Sequence, residues 1–210
     1  MLDYVNQISS VIEHGLPGED AHIEVSPLGR IKSSEALKKS PVYKQSAVGV
    51  ILFPFCGRVH LILIKRANYN GVHSGQISFP GGKKEMDDLN LEITALRECQ
   101  EEIGIKPHEL NLICQLTPVF IPVSNFLVTP FLFYINFEPS LKIDQREVEE
   151  SFSFDINTIC KYESIQKKNI LIRDNQYIKN VPYFNINGKV VWGATALILN
   201  ELRHILFKLK

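Results

Sequence analysis

A glycine turn, Phe79-Pro80-Gly81-Gly82, is followed fifteen residues after Gly82 by Arg97-Glu98-Cys99-Gln100-Glu101-Glu102-Ile103-Gly104-Ile105. On an α-helix, residues three and four apart are neighbours, so Glu98, Glu101 and Glu102 are expected to point to one place. Three crowded carboxylates repel one another unless a cation neutralises them. Hard divalent ions, Mg²⁺ above all, take oxygen ligands and share them with substrate phosphates. The segment therefore reads as a metal-dependent phosphate site.

The 210 residues are consistent with one domain. A formal net charge of zero removes any global electrostatic argument for nucleic acid or an anionic membrane. Met1-Leu2-Asp3-Tyr4 lacks the basic segment and apolar run of a signal peptide. No apolar run approaches the roughly 18 residues that span a bilayer. Cys56, Cys99, Cys114 and Cys160 are widely spaced, without a metal-ligand rhythm, so reduced, buried thiols in a cytoplasmic protein are expected.

Leu2, Val5, Ile8, Val11 and Ile12 recur at helical spacing, stopped by Gly15 and Pro17. The polar stretch 18–46 reads as a connector without chemistry. Residues 47–53 and 59–64 are short apolar runs, expected as paired buried strands. Residues 66–82 form a loop with four glycines. Residues 91–103 form the acidic helix, with Leu91, Ala95, Leu96, Cys99 and Ile103 as its apolar side and the carboxylates opposite. Residues 112–116 and 126–137 are further strands, and Pro130 favours an edge or bulge in the second. Residues 181–192 read as a hairpin turning at Asn187-Gly188, and 194–209 as an amphipathic helix on the sheet, with Trp192 packed beneath it. The expected fold is a mixed α/β sandwich, preceded over residues 1–45 by a helix and connector packed on the core.

The segment resembles the signature of the Nudix hydrolases: Gly, five residues, Glu, seven residues, Arg-Glu, apolar, any residue, Glu-Glu, any residue, Gly, apolar. Gly82, Arg97, Glu98, Cys99, Glu101, Glu102, Gly104 and Ile105 match. Asp88 occupies the first acidic position, and its gap to Arg97 is one residue longer than the pattern. That longer gap, with Gly81-Gly82-Lys83, Glu85 and Asp88, is similar to the coenzyme A pyrophosphatase branch. Leu63-Ile64-Lys65-Arg66-Ala67, Gly75 to Gly82, Val123 to Phe131 and Val191 to Ala196 are similar as well. Gly71 stands where that branch carries a basic residue.

The resemblance implies an α/β/α sandwich with a mixed sheet over residues 46–210. It implies Mg²⁺- or Mn²⁺-dependent cleavage of the pyrophosphate of coenzyme A or its thioesters, giving 3′,5′-ADP and 4′-phosphopantetheine or its acylated form. Glu98 and Glu102, assisted by Glu101, would hold the metal; Glu102, Glu101 and Arg97 are the candidate catalytic residues. Arg66, Gly81, Gly82 and Lys83 would meet the substrate, and Arg97 would orient a glutamate. The general base stays open among Glu102, Glu147 and Glu149, although the acidic run from Glu147 to Glu150 reads foremost as a solvated turn. His73 reads as an ordinary loop histidine. The expected partner is a small pyrophosphate compound, with no nucleic acid or membrane, and a homodimer is compatible with the reading. The alternatives are a Nudix hydrolase of another nucleoside diphosphate derivative, such as ADP-ribose, or a nucleotide-sensing module without turnover.

Overall fold

In the computed structural model, which describes residues 1–68, 73–172 and 176–209, the apolar side chains of the first strand, β1 (Lys44–Phe55), face two ways. Val50 and Leu52 enter one core cluster, and Ala47, Ile51 and Phe53 enter the other. This period-two alternation makes β1 the divider between two cores. Helix α4 (Leu91–Ile103) covers the second cluster through Ala95, Cys99 and Ile103. Helix α5 (Gly193–Leu206) covers the first with Leu197, Ile198 and Leu202, joined by Ile8 of α1 (Leu2–Glu13).

The sheet between these layers is mixed. Strand β1 runs antiparallel to β2 (Arg58–Arg66) and β4 (Gly81–Lys83) and parallel to β7 (Phe126–Tyr134). Strands β3 (Ile77–Ser78) and β8 (Val148–Asp155) pair with β2, whereas β5 (Asn111–Gln115) and β6 (Val119–Ile121) pair with β7. A second sheet of β9 (Ile165–Leu171), β10 (Tyr177–Ile186) and β11 (Lys189–Val191) packs beside α5. The architecture is the expected α/β sandwich. Its β10–β11 hairpin turns at Asn187 and Gly188, both at positive φ (52° and 79°), as a type I′ turn requires.

Several local expectations change. The runs 47–53 and 59–64 are parts of longer strands that meet at Cys56-Gly57 (φ 46° and 74°), so Cys56 is exposed and not a buried thiol. Pro130 lies at neither an edge nor a bulge of β7 but inside it, opposite Val48 of β1. Its carbonyl accepts from Leu116 N–H (2.9 Å) on the β5–β6 side, so its missing N–H also falls there, in the gap between those two strands. The connector 18–46 contains two more helices, α2 (Gly18–Glu24) and α3 (Ser33–Lys39). They are fastened by Ser34 N–H to Glu19 Oε1 (2.7 Å), Asn200 Nδ2 to the Ala21 carbonyl (2.7 Å) and Phe120 N–H to Ser33 Oγ (3.0 Å). Among the described residues, no helix is long and apolar enough to cross a membrane.

Candidate active site

Asn90 starts α4 by accepting Ile93 N–H on its side chain (2.9 Å), and Gly104 ends it in the left-handed conformation (φ 76°). These caps fix which residues face the sheet. Contrary to the sequence expectation, two of the carboxylates belong to the buried face: Glu102 is 0% and Glu98 8% exposed. Glu101 is solvent-exposed.

The β4 turn makes room for the buried pair. A Cβ on Gly82 would overlap the Glu98 carboxylate, and one on Gly81 would overlap the Ala47 carbonyl. With both absent, Gly81 N–H donates to Glu102 Oε2 (2.8 Å), while Arg66 Nη1 donates to Glu102 Oε1 (3.1 Å) and to the Gly81 carbonyl (3.3 Å). A third acid arrives from the other side: Glu147, just before β8, offers a carboxylate oxygen within 4.8 Å of those of Glu98 and Glu102. Its position follows from pairing, because β8 lies along β2 and the Glu147 carbonyl accepts Ala67 N–H (2.8 Å).

Burial pushes the Glu102 carboxyl up to about 7, and Glu98 and Glu147 add to the rise against the opposing Arg66 and Gly81 N–H. Glu98 is raised too, first by burial, with Glu101 and Glu147 adding to it. A divalent cation would relieve both the burial and the mutual repulsion, and the all-oxygen donor set suits a hard ion such as Mg²⁺ or Mn²⁺.

Arg97 lies outside this cluster and braces it. Its Nη1 donates to Glu98 Oε1 (2.9 Å) and Glu101 Oε2 (2.8 Å), and its Nη2 to the Lys83 carbonyl (3.1 Å). Nε and Nη2 form a two-pronged pair with Asp88 (3.1 and 3.0 Å), which hydrogen bonding to Arg97 holds down at about 2. Asp88 thus serves Arg97 and the loop, also accepting Thr94 Oγ1 (2.9 Å) and Glu85 N–H (2.9 Å).

A model of the NUDIX domain matches residues 43–179, more than half of the chain. The chain belongs to the Nudix hydrolase family. Among its relatives are an uncharacterized Nudix hydrolase, NudL, of Enterobacter sp., 31% identical over 154 residues (72% of this chain and 79% of that one), and Nudix hydrolase 15, mitochondrial, of Arabidopsis thaliana, 31% identical over 191 residues (86% and 66%). The fold is similar to that of RenU, a Nudix hydrolase from M. smegmatis (TM-score 0.56, 13% identity, covering 80% of this chain and 88% of that one). It is also similar to a MutT protein from Methanosarcina mazei (TM-score 0.52, 18% identity, 79% and 96%). As a Nudix member the chain is a pyrophosphohydrolase, an enzyme that uses a divalent metal ion.

Within this Nudix site, the residues read from sequence separate into groups. Glu98 and Glu102 converge, whereas Glu101 turns to Arg97 at the surface. Of the run 147–150, expected as a solvated turn, Glu147 is exposed in the turn before β8, whereas Glu149 and Glu150 lie in β8, paired to Lys65 (2.5 Å) and Lys189 (2.7 Å). His73 is engaged on both sides, 3.2 Å from Gln76 Oε1 and 3.1 Å from Ser124 Oγ. Trp192 stands half-buried at the start of α5 and lines a groove beside β11. Gly71 lies outside the described residues.

Arg97→Ala is expected to lower kcat by about 10–100-fold with KM nearly unchanged, because Arg97 holds the Glu98 and Glu101 carboxylates in place. Steady-state kinetics check this; a large rise in KM at constant kcat would show instead that Arg97 binds substrate.

Proposed function

We propose that this Nudix enzyme hydrolyses the pyrophosphate bond of coenzyme A or its thioesters with Mg²⁺ or Mn²⁺, releasing 3′,5′-ADP and 4′-phosphopantetheine or its acylated form. The convergence of Glu98, Glu102 and Glu147 against the Gly81-Gly82 turn carries the pyrophosphatase part. The coenzyme A part is supported by the matching stretches around Arg66 and Gly75 to Gly82 and by the long gap before Arg97. The reading includes a small-molecule partner and a cytoplasmic setting.

Glu98 and Glu102 would hold the cation, which when bound would neutralise pyrophosphate charge and acidify a water, with the Glu147 carboxylate left free beside them. Glu101, at the rim, is a further oxygen donor held by Arg97. Arg66, Gly81, Gly82 and Lys83 form the approach for the substrate phosphates. Water attacks one phosphorus, the bond from that phosphorus to the bridging oxygen breaks, and the water's proton needs an acceptor. Both Glu102 oxygens already accept, from Arg66 and Gly81, and Glu149 is tied to Lys65. Glu147, exposed and next to the cluster, is therefore assigned as the base. Glu147→Gln is expected to lower kcat by about 10²-fold or more; a value within about twofold of wild type assigns the base elsewhere.

Comparing kcat/KM for coenzyme A, 3′-dephospho-coenzyme A and ADP-ribose at one metal concentration, with products identified by mass, tests the substrate. Coenzyme A is expected to be the best of the three. An ADP-ribose preference of about tenfold, ~1.4 kcal/mol in transition-state binding, would overturn the coenzyme A reading and leave the hydrolase.

A further inference from the structure

Two grooves beside the active site are lined by lysines, and they differ in whether those charges are answered. The first, of about 550 Å³, lies between β2–β3 and the β9–β11 sheet. There Lys65 pairs with Glu149 and Lys189 with Glu150, while Lys168 lies 5.9 Å over the Tyr183 ring. The second, of about 500 Å³, is lined by Tyr43, Lys44, Gln45, Lys83 and Lys84 together with Pro41 and Val42. Among the described residues, the ion-paired lysines are Lys32, Lys39, Lys65 and Lys189. Lys44, Lys83 and Lys84 are none of these, so among the described residues no carboxylate forms an ion pair with them.

The backbone ties these lysines to the strand pair that carries the Gly81-Gly82 turn. Lys83 directly follows Gly82, and its carbonyl accepts from Arg97. Lys84 N–H donates to the Gln45 carbonyl (3.0 Å), and Lys44 N–H to the Asn125 carbonyl (2.9 Å). Ser46 stands opposite Lys83 across the β1–β4 pair. By strand alternation Lys44 shares the face of Ser46, so Lys44 and Lys83 are diagonal neighbours within reach of long side chains. Lys44 Nζ lies 5.5 Å over the Phe126 ring, which steadies the side chain without consuming its charge. Tyr43, 38% exposed, adds an aromatic wall.

We infer that Lys44 and Lys83 form an anion clamp that reads a phosphomonoester carried by the substrate in addition to its pyrophosphate. This rests on the function proposed above, in which that group is the 3′-phosphate of coenzyme A. Such a phosphate carries between one and two negative charges at neutral pH, and each ammonium offers three donors. The other groove, where Lys65 and Lys189 are ion-paired, suits the less charged remainder of a ligand.

Calorimetric titration of the protein in chelator with 3′,5′-ADP and with AMP tests the clamp without turnover. Wild type is expected to bind 3′,5′-ADP at least about tenfold more tightly. That preference should fall below about threefold in Lys44→Ala/Lys83→Ala and persist in Lys44→Arg/Lys83→Arg, which controls for folding. Equal wild-type binding of the two nucleotides overturns the clamp, as does an equal loss for both in the alanine variant. Turnover separates the two levels of the reading. A protein that prefers 3′,5′-ADP yet hydrolyses ADP-ribose faster than coenzyme A keeps the clamp and loses the coenzyme A assignment. Equal nucleotide binding alongside efficient coenzyme A hydrolysis does the reverse.

Discussion

Glu102→Gln is expected to lower kcat/KM by about 10³-fold or more, ~4 kcal/mol of transition-state stabilisation. The substitution keeps the shape of a fully buried side chain and removes its charge from a cluster whose carboxylate oxygens lie within 4.8 Å of one another. Both Glu102 oxygens accept hydrogen bonds, from Arg66 and from Gly81. An amide can accept only one of these, and its NH₂ then faces a donor, a local mismatch of about 1–3 kcal/mol. Thermal unfolding with and without Mn²⁺ separates the two effects. Wild type should gain stability as metal saturates the site, and the variant should respond only at much higher concentration. Wild-type turnover persisting in excess chelator would sink the metal assignment, and near-normal turnover of the variant would remove Glu102 from the machinery.

Glu201→Ala is expected to destabilise the fold by about 3–5 kcal/mol, the range for removing one partner of a buried charged network, and to lower Tm by roughly 10 °C. The Glu201 carboxylate on α5 is wholly buried. It accepts Gly18 N–H (3.2 Å), Thr117 N–H (3.1 Å) and Thr117 Oγ1 (2.5 Å), and His22 Nε2 lies 3.3 Å away. Burial opposes its ionisation, but the bonds from His22 and Thr117 outweigh that and hold the group below the ordinary carboxylate range. A depressed carboxylate stabilises the fold fully above its unfolded value, and that contribution is lost as pH falls through the lower folded value. Stability measured from pH 6 downward should therefore decline less in the alanine variant than in wild type. Because Glu201 lies across the sheet from α4, turnover per folded molecule should be unchanged; a variant as stable as wild type would contradict the network's role.

The acidic helix was legible because its signals are local: Leu91, Ala95, Cys99 and Ile103 recur at helical spacing, and the spacing of Glu98, Glu101 and Glu102 states a face. Which carboxylates enter the core was not legible, since burial of Glu98 depends on the missing Cβ of Gly82, sixteen residues away. Glu147 has no motif of its own; the long-range pairing of β2 with β8 delivers it. Helices α2 and α3 are single short segments of seven residues each, below the length at which periodicity or intrinsic propensity speaks. They are held by Glu19, Glu201 and Asn200, ties with no signature in the chain around them. Pro130 misled because a proline's neighbours decide whether its missing donor matters, and β5 and β6 leave a gap at that point.

The contact between Gly18 and Glu201 spans 183 positions of the chain. At about 5–20 residues per second, a ribosome needs roughly ten to forty seconds to travel that distance. Throughout that interval Ile8 and Val25, both enclosed in the finished molecule, have no α5 to lie against. Helices α1 and α2 are therefore expected to dock late, as a closing event of high contact order, and until then these segments of the nascent chain are sticky surfaces that holding chaperones are suited to shield.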